Sequence, residues 1–274
     1  MKKYILSLLA CGLIFSAYSQ SAPGKWMIKK VGVSFGQDQD MLRNIDADYI
    51  IGIGKDTENS QFLNRDFAPR DLYRAYCENP NVRAFVTLGI PGNDRFNIEF
   101  DANAIFNRYD GVYYSDYTGN YDYLNIGTTS SEVNLGVTIN RQLNVTRWFN
   151  LYGGVGSNMG YTFGSSLYVN GSGIQQVNAN LDRSTTDVWT QSVDYGYASE
   201  NYDVNDAFSQ RVFATAGFGI ELFRRIELGY HLTGGVGHRT HFGSASKFSR
   251  LLSTSFRVNW LFGNSKCCKP KMLF

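Results

Sequence analysis

Cysteine, proline and long apolar runs are all scarce in this chain, and each scarcity removes a class of protein. Of its four cysteines, Cys11 lies in the leader described below. Cys77, Cys267 and Cys268 remain, an odd number with two adjacent members, which is not how a disulfide-framed domain is built. Cys267 and Cys268 have no histidine or further cysteine near them, so they read as part of a loose Lys-containing tail and not as a metal site. Beyond residue 19 nothing approaches the roughly 20 consecutive apolar residues of a membrane-spanning helix. With five prolines and no linker of Pro, Gly and Ser, nothing divides the chain, and one domain is expected. A formal net charge of +2 points to no charged partner. Nucleic acid, metal and cofactor are not expected.

What is present starts with an address. Lys2 and Lys3 precede a mostly apolar run over 4–15, followed by Ser16, Ala17, Tyr18 and Ser19. Ala17-Tyr18-Ser19 fits the small-x-small cleavage rule, which makes 1–19 a signal peptide and Gln20 the mature N-terminus. Lipidation of Cys11 after Leu8-Leu9-Ala10 is the competing reading. The shortness of 4–10 and the continuation of the apolar run past Cys11 favour the first.

The informative pattern is alternation. Near the C-terminus Phe256, Val258, Trp260 and Phe262 share one face of a strand, while Ser255, Arg257 and Asn259 share the other. An aromatic and aliphatic face backed by a charged one suits a wall with lipid outside and a polar lumen inside. The same period-two pattern recurs over 26–36, 82–90, 95–108, 130–142, 148–163, 208–223, 225–238 and 249–262. Outward faces read as Val82, Ala84, Val86, Leu88; Phe96, Ile98, Phe100, Ala102; Val133, Leu135, Val137, Ile139; Val212, Ala214, Ala216, Phe218, Ile220; and Ile226, Leu228, Tyr230, Leu232.

Short connections at 91–94, 143–147 and Arg224 alternate with long ones at 37–81, 109–129, 164–207 and, more modestly, 239–248. That ordering places short turns on the periplasmic side and long loops outside. The expected fold is all-β: a closed antiparallel transmembrane β-barrel of eight strands over 20–263, with long extracellular loops and a periplasmic tail over 264–274. A count of ten stays open, because 49–54 and 123–128 are candidate further strands or upward extensions of the wall. Residues 68–74 look like a short helix start, with Pro69 near the first turn.

Leader, eight wall segments, alternating connections and a final aromatic strand resemble the small outer-membrane barrels of Gram-negative bacteria, the OmpA-transmembrane, OmpX and OmpW type, in a Bacteroidota-like style. The resemblance implies a bacterial outer-membrane location. It also implies recognition of the last strand, through Phe256, Val258, Trp260 and Phe262, by barrel-assembly machinery.

The inward set then includes Lys30, Arg83, Glu99, Asp101, Arg211, Glu221, Glu227, His231 and Arg257. Both signs are present, and an eight-stranded interior is only wide enough for side chains to fill, so a plugged lumen with a paired charge network is expected. Trp26, Trp148, Trp260 and Phe262, with Phe149, fall near the turn side; Tyr109, Tyr161, Phe163 and Phe208 fall near the loop side. These read as two interfacial girdles.

His238 and His241, with Ser244, Ser246 and Glu200 elsewhere, allow a hydrolytic arrangement to be imagined, but no motif defines one, and two histidines do not make a metal site. Gly234, Gly235 and Gly237 lack the strand-turn-helix context of a phosphate loop and read as sites of curvature or close inner packing. The functional expectation is a monomeric, non-enzymatic barrel acting as a structural or surface-interaction protein, in contact with outer-membrane lipid and an extracellular glycan or protein. A narrow small-solute channel is the alternative, and a lipid-modifying enzyme the third reading.

Overall fold

Alternating side chains close into a ring. The computed structural model describes residues 26–42, 47–60, 73–74, 79–116, 122–174, 195–222, 225–243 and 246–262. The strands are β1 (Met27–Leu42), β2 (Tyr73–Arg74), β3 (Asn79–Ile90), β4 (Asn93–Asp116), β5 (Asp122–Asn144), β6 (Phe149–Ile174), β7 (Tyr195–Asp203), β8 (Ala207–Leu222), β9 (Ile226–His241) and β10 (Ser246–Leu261). Among the described residues between β1 and β2 are a helix, α1 (Ala47–Ile53), and a 3-10 turn (Thr57–Asn59).

Eight of the strands pair antiparallel in the cycle β1, β3, β4, β5, β6, β8, β9, β10 and back to β1. The other two, β2 and β7, pair with the upper parts of β4 and β6. A closed ring leaves no unpaired edge at the level where all eight strands meet, and that is the condition for crossing hydrocarbon with strands.

Two of the long connections, 109–129 and 164–207, largely continue the wall. β4, β5 and β6 run for 24, 23 and 26 residues, more than twice the roughly 9–11 that a bilayer requires. Segment 123–128 is the upper part of β5 and not a separate strand, so 109–129 is largely a continuous hairpin of β4 and β5. Of 164–207, β6 and β7 occupy 164–174 and 195–203.

Segment 49–54 is corrected: residues 49–53 belong to α1 and not to a strand or hairpin, and Gly54 alone makes a β-bridge. The β-branched run Ile50-Ile51 favours a strand by propensity. Burial of Tyr49 and Ile53, one helical turn apart, at 6% and 3% exposure overrides that preference. Of 68–74, Tyr73 and Arg74 are strand; the rest lies outside the described residues, as do Cys77, Cys267, Cys268, the leader and the tail.

Candidate functional site: the filled lumen

Three layers of side chains cross the bore. In the layer nearest the short turns, Glu227 of β9 takes Lys30 Nζ of β1 on both oxygens at 2.8 Å, Asn150 Nδ2 of β6 at 2.8 Å and Asn259 Nδ2 of β10 at 2.7 Å. Four strands thus meet on one carboxylate. Glu221 is opposite Glu227 in the β8–β9 register, at the mouth of the ring, and makes no ion pair among the described residues.

The middle layer is built on Arg257 of β10. Its Nη2 lies 2.7 Å from Glu99 Oε2 of β4, and its guanidinium stacks 3.7 Å over the Phe85 ring of β3. Nη1 approaches Tyr152 Oη and His231 Nδ1 at 3.5 and 3.4 Å, and the Tyr152 and His231 rings stack at 5.7 Å. Thr87 Oγ1 donates to Glu99 at 3.3 Å. Beside this layer, Arg83 and Asp101 on neighbouring β3 and β4 stand 3.6 Å apart. A void of about 20 Å³, bounded by Lys30, Glu99, Glu227 and Arg257 among others, separates the first two layers and is the size of about one water.

The upper layer centres on Glu132 of β5, which is fully buried. It pairs with Arg108 at 2.9 Å, Arg211 at 2.6 Å and Arg239 at 3.6 Å, and it accepts Ser209 Oγ at 2.8 Å. Arg211 also donates to Asn134 Oδ1 at 2.6 Å. Glu132, Arg108 and Arg239 were absent from the charge set read off the sequence. Glu132 was legible, since it shares the inward parity of Asn134 and Thr138. Arg239 lies one residue past the expected end of its strand. Arg108 was not legible, because β4 carries an irregularity between Ile105 and Arg108, with Asn107 at φ 51°, and the alternation changes phase there.

Glycines on the inner face make room for these groups. An added Cβ at Gly160 would stand 2.6 Å from Glu132 Oε1, one at Gly219 2.6 Å from Glu227 Cδ, and one at Gly237 2.8 Å from Arg211 Cγ. Gly160→Val is expected to destabilise the barrel by about 1–3 kcal/mol through overpacking. Gly153→Val, on the outward face with only Thr215 O at 3.5 Å, should leave the urea midpoint near the wild-type value. Equal midpoints for the two variants would contradict the packed lumen.

Above the upper layer, α1 lies at the loop end of the ring, with Tyr49 against His241 of β9 and under Lys247 of β10. Tyr49 and Ile53 are buried, as are Ile126, Leu167, Val169, Val204 and Ala207 of the neighbouring strands and turn. Gly54 bridges Val204, Lys55 N donates to Asp203 O at 2.8 Å, and Asn205 N donates to Ile53 O at 3.1 Å. Ser60 and Tyr202 both donate to Glu200 Oε2, at 2.5 and 2.7 Å; desolvation raises the pKa of the Tyr202 phenol above its ordinary value.

His238 and His241 are not brought together. They are three residues apart on one strand and therefore face opposite sides of the wall. His241 is buried, with Nδ1 2.9 Å from Asn205 O and its ring edge-on to Tyr49 at 6.1 Å; His238 packs edge-on to Phe248 at 5.1 Å. Glu200 is held by Ser60 and Tyr202, and Ser244 lies outside the described residues.

The outer face inverts this polarity. Leu135, Val155, Val212 and Val236, on four different strands, are 66%, 63%, 64% and 61% exposed, whereas Glu132 is 0% and Glu227 2% exposed. Water would be met by hydrocarbon all round the ring while charges sit inside, an arrangement that only lipid makes favourable.

The chain is a transmembrane β-barrel.

No family model matches the barrel's sequence, and no curated protein does either. Among solved structures it is similar to the outer membrane protein OprG from Pseudomonas aeruginosa, at 9% identity over 89% of this chain and 98% of that one, TM-score 0.38. It is also similar to the Neisserial surface protein NspA, at 8% identity over 85% and 96%, TM-score 0.35. Ring closure and inverted polarity, both read from this chain, decide the fold.

The turn-side aromatics Trp26, Trp148 and Trp260 are 56%, 57% and 46% exposed, and Phe262 is half-buried. On the loop side, Tyr161, Phe163 and Phe208 are exposed, Tyr161 Oη donating to Asp206 Oδ2 at 2.5 Å. Tyr109 is half-buried and stacks on Tyr168 at 5.8 Å.

Proposed function

We propose that the barrel is a closed wall that carries a raised surface for contacts outside the cell, and is neither a pore nor an enzyme. The observation that supports this most directly is the Glu132 cluster, which ties β5 to β8 and β9 across the bore. Solute passage would require these pairs to separate, and an unpaired charge in a low-dielectric interior is costly.

Above the membrane, the extensions of β4, β5 and β6 with β2 and β7 form a sheet bearing the stacked Tyr109 and Tyr168. Aromatic and polar surfaces of this kind suit a glycan or a protein partner. Trp26, Trp148, Trp260 and Phe262 hold the wall at the inner interface, the last strand, through Phe256, Val258, Trp260 and the Phe262 that follows it, serves recognition by the assembly machinery, and a closed ring needs no second copy, so the protein acts as a monomer. Planar-bilayer recordings test the closed lumen. Purified protein should give no discrete conductance steps; steps of constant size would replace this reading with the narrow channel.

A further inference from the structure

The lipid-facing wall carries almost no charge, so the exceptions are informative. On the outward positions of β5, β6, β8, β9 and β10 whose side chains are described, two residues are charged, Arg141 and Arg250, and both are exposed. Arg141 stands near the short turn at 145–148. Arg250 stands on the same face of β10 as Trp260, ten residues before it in sequence and so above it. A strand tilted by roughly 40° gains about 2.5 Å of height per residue, so the two are about 25 Å apart, the height of an outer-membrane apolar band. Arg250 therefore emerges where hydrocarbon gives way to the headgroups of the outer leaflet.

Its surroundings suit that position. Val236 is directly opposite on β9, and Phe248, two residues earlier on β10, is opposite His238. His238 is thus a diagonal neighbour of Arg250, about 7–8 Å away by strand geometry, and Gln210 of β8 is opposite His238 in turn. Phe248 is 69% exposed. Arg250 makes no ion pair among the described residues, and no carboxylate occupies an outward position of β8, β9 or β10.

A guanidinium at the rim of hydrocarbon, without an acidic partner among the described residues, calls for an anion supplied by the membrane, and its planar fork matches phosphate oxygens in bidentate fashion. We propose that Arg250, with His238 beside it, binds the phosphate of an outer-leaflet lipid headgroup while Phe248 packs against the lipid's acyl chains. The inference rests on the barrel crossing a membrane.

The full chain, folded in maltoside micelles and checked by heat-modifiable migration, can be titrated with bisphosphorylated lipid A and the bound lipid counted by native mass spectrometry. Arg250→Gln should lower occupancy about fivefold, the worth of one cation at a lipid surface. Arg147→Gln, which removes the same charge from the exposed turn at 145–148, should leave it unchanged, and Arg250→Lys should retain part of it. Equal occupancy for Arg250→Gln and Arg147→Gln would overturn the site.

Two further arms separate the sources of phosphate and guard against misfolding. Inorganic phosphate in excess should not displace the lipid; full displacement would overturn a lipid headgroup as the ligand in favour of the free anion. Dephosphorylated lipid should bind wild-type protein more weakly, and equal binding would overturn the site even where Arg250→Gln does not fold. Loss of heat-modifiable migration by the wild type would instead unseat the membrane-spanning reading.

Discussion

Replacing Glu132 with Ala should cost the barrel about 3–5 kcal/mol, the range seen when one member of a buried ion pair is removed. This carboxylate is the shared partner of Arg108, Arg211 and Arg239, and it also accepts Ser209. Its loss leaves three guanidinium groups close together without the negative charge that joins them, in a layer where the side chains of all four ionic residues are at most 3% exposed. Glu132→Gln should recover only a fraction, because the amide can still accept from Ser209 but supplies no charge. Glu221→Ala removes the same charge at the mouth, where no ion pair is described, and is expected to lie within about 0.5 kcal/mol of wild type. Urea midpoints of protein folded into vesicles, read by tryptophan fluorescence and gel migration, measure all three. A Glu132→Ala midpoint equal to that of Glu221→Ala would show that the upper layer does not hold the bore shut.

The second large effect is on the outer face and should depend on depth. Leu135 and Leu143 both lie on the outward face of β5 and are 66% and 51% exposed. Leu135 sits mid-strand, while Leu143 is beside the turn that begins after Asn144. Arg at the midplane of such a barrel costs about 2–4 kcal/mol and near an interface about 0–1. Leu135→Arg, and likewise Ala216→Arg on β8, should therefore fold poorly, whereas Leu143→Arg should fold almost normally. A protein that met water on this face would tolerate all three alike. Similar folding yields for Leu135→Arg and Leu143→Arg in bilayers would be incompatible with a lipid-facing wall.

Much of this architecture was legible because a strand has a two-residue period. The alternation of Phe256, Val258 and Trp260 with Ser255, Arg257 and Asn259 assigns sides without reference to any partner, and the exposed and buried faces of β10 follow it. Legibility failed where the period failed or where distant packing outweighed local preference. The irregularity before Arg108 changes the phase of β4, which hid one arm of the Glu132 cluster. Tyr49 and Ile53 lie in an Ile-rich stretch that reads as strand, yet both are buried in a helix, Tyr49 against His241 of β9 and under Lys247 of β10.

The sequence by itself determined which side of the wall most residues face, because that follows from counting along one strand. Only the tertiary structure decided which inward residues meet. Ser209 and Glu132 are 77 positions apart, Lys30 and Glu227 are 197 apart, and each pair is joined through the stagger of strands around a closed ring. That stagger is a property of all eight pairings together. No local pattern encodes it, so the presence of charges in the lumen could be read in advance while the identity of their partners could not.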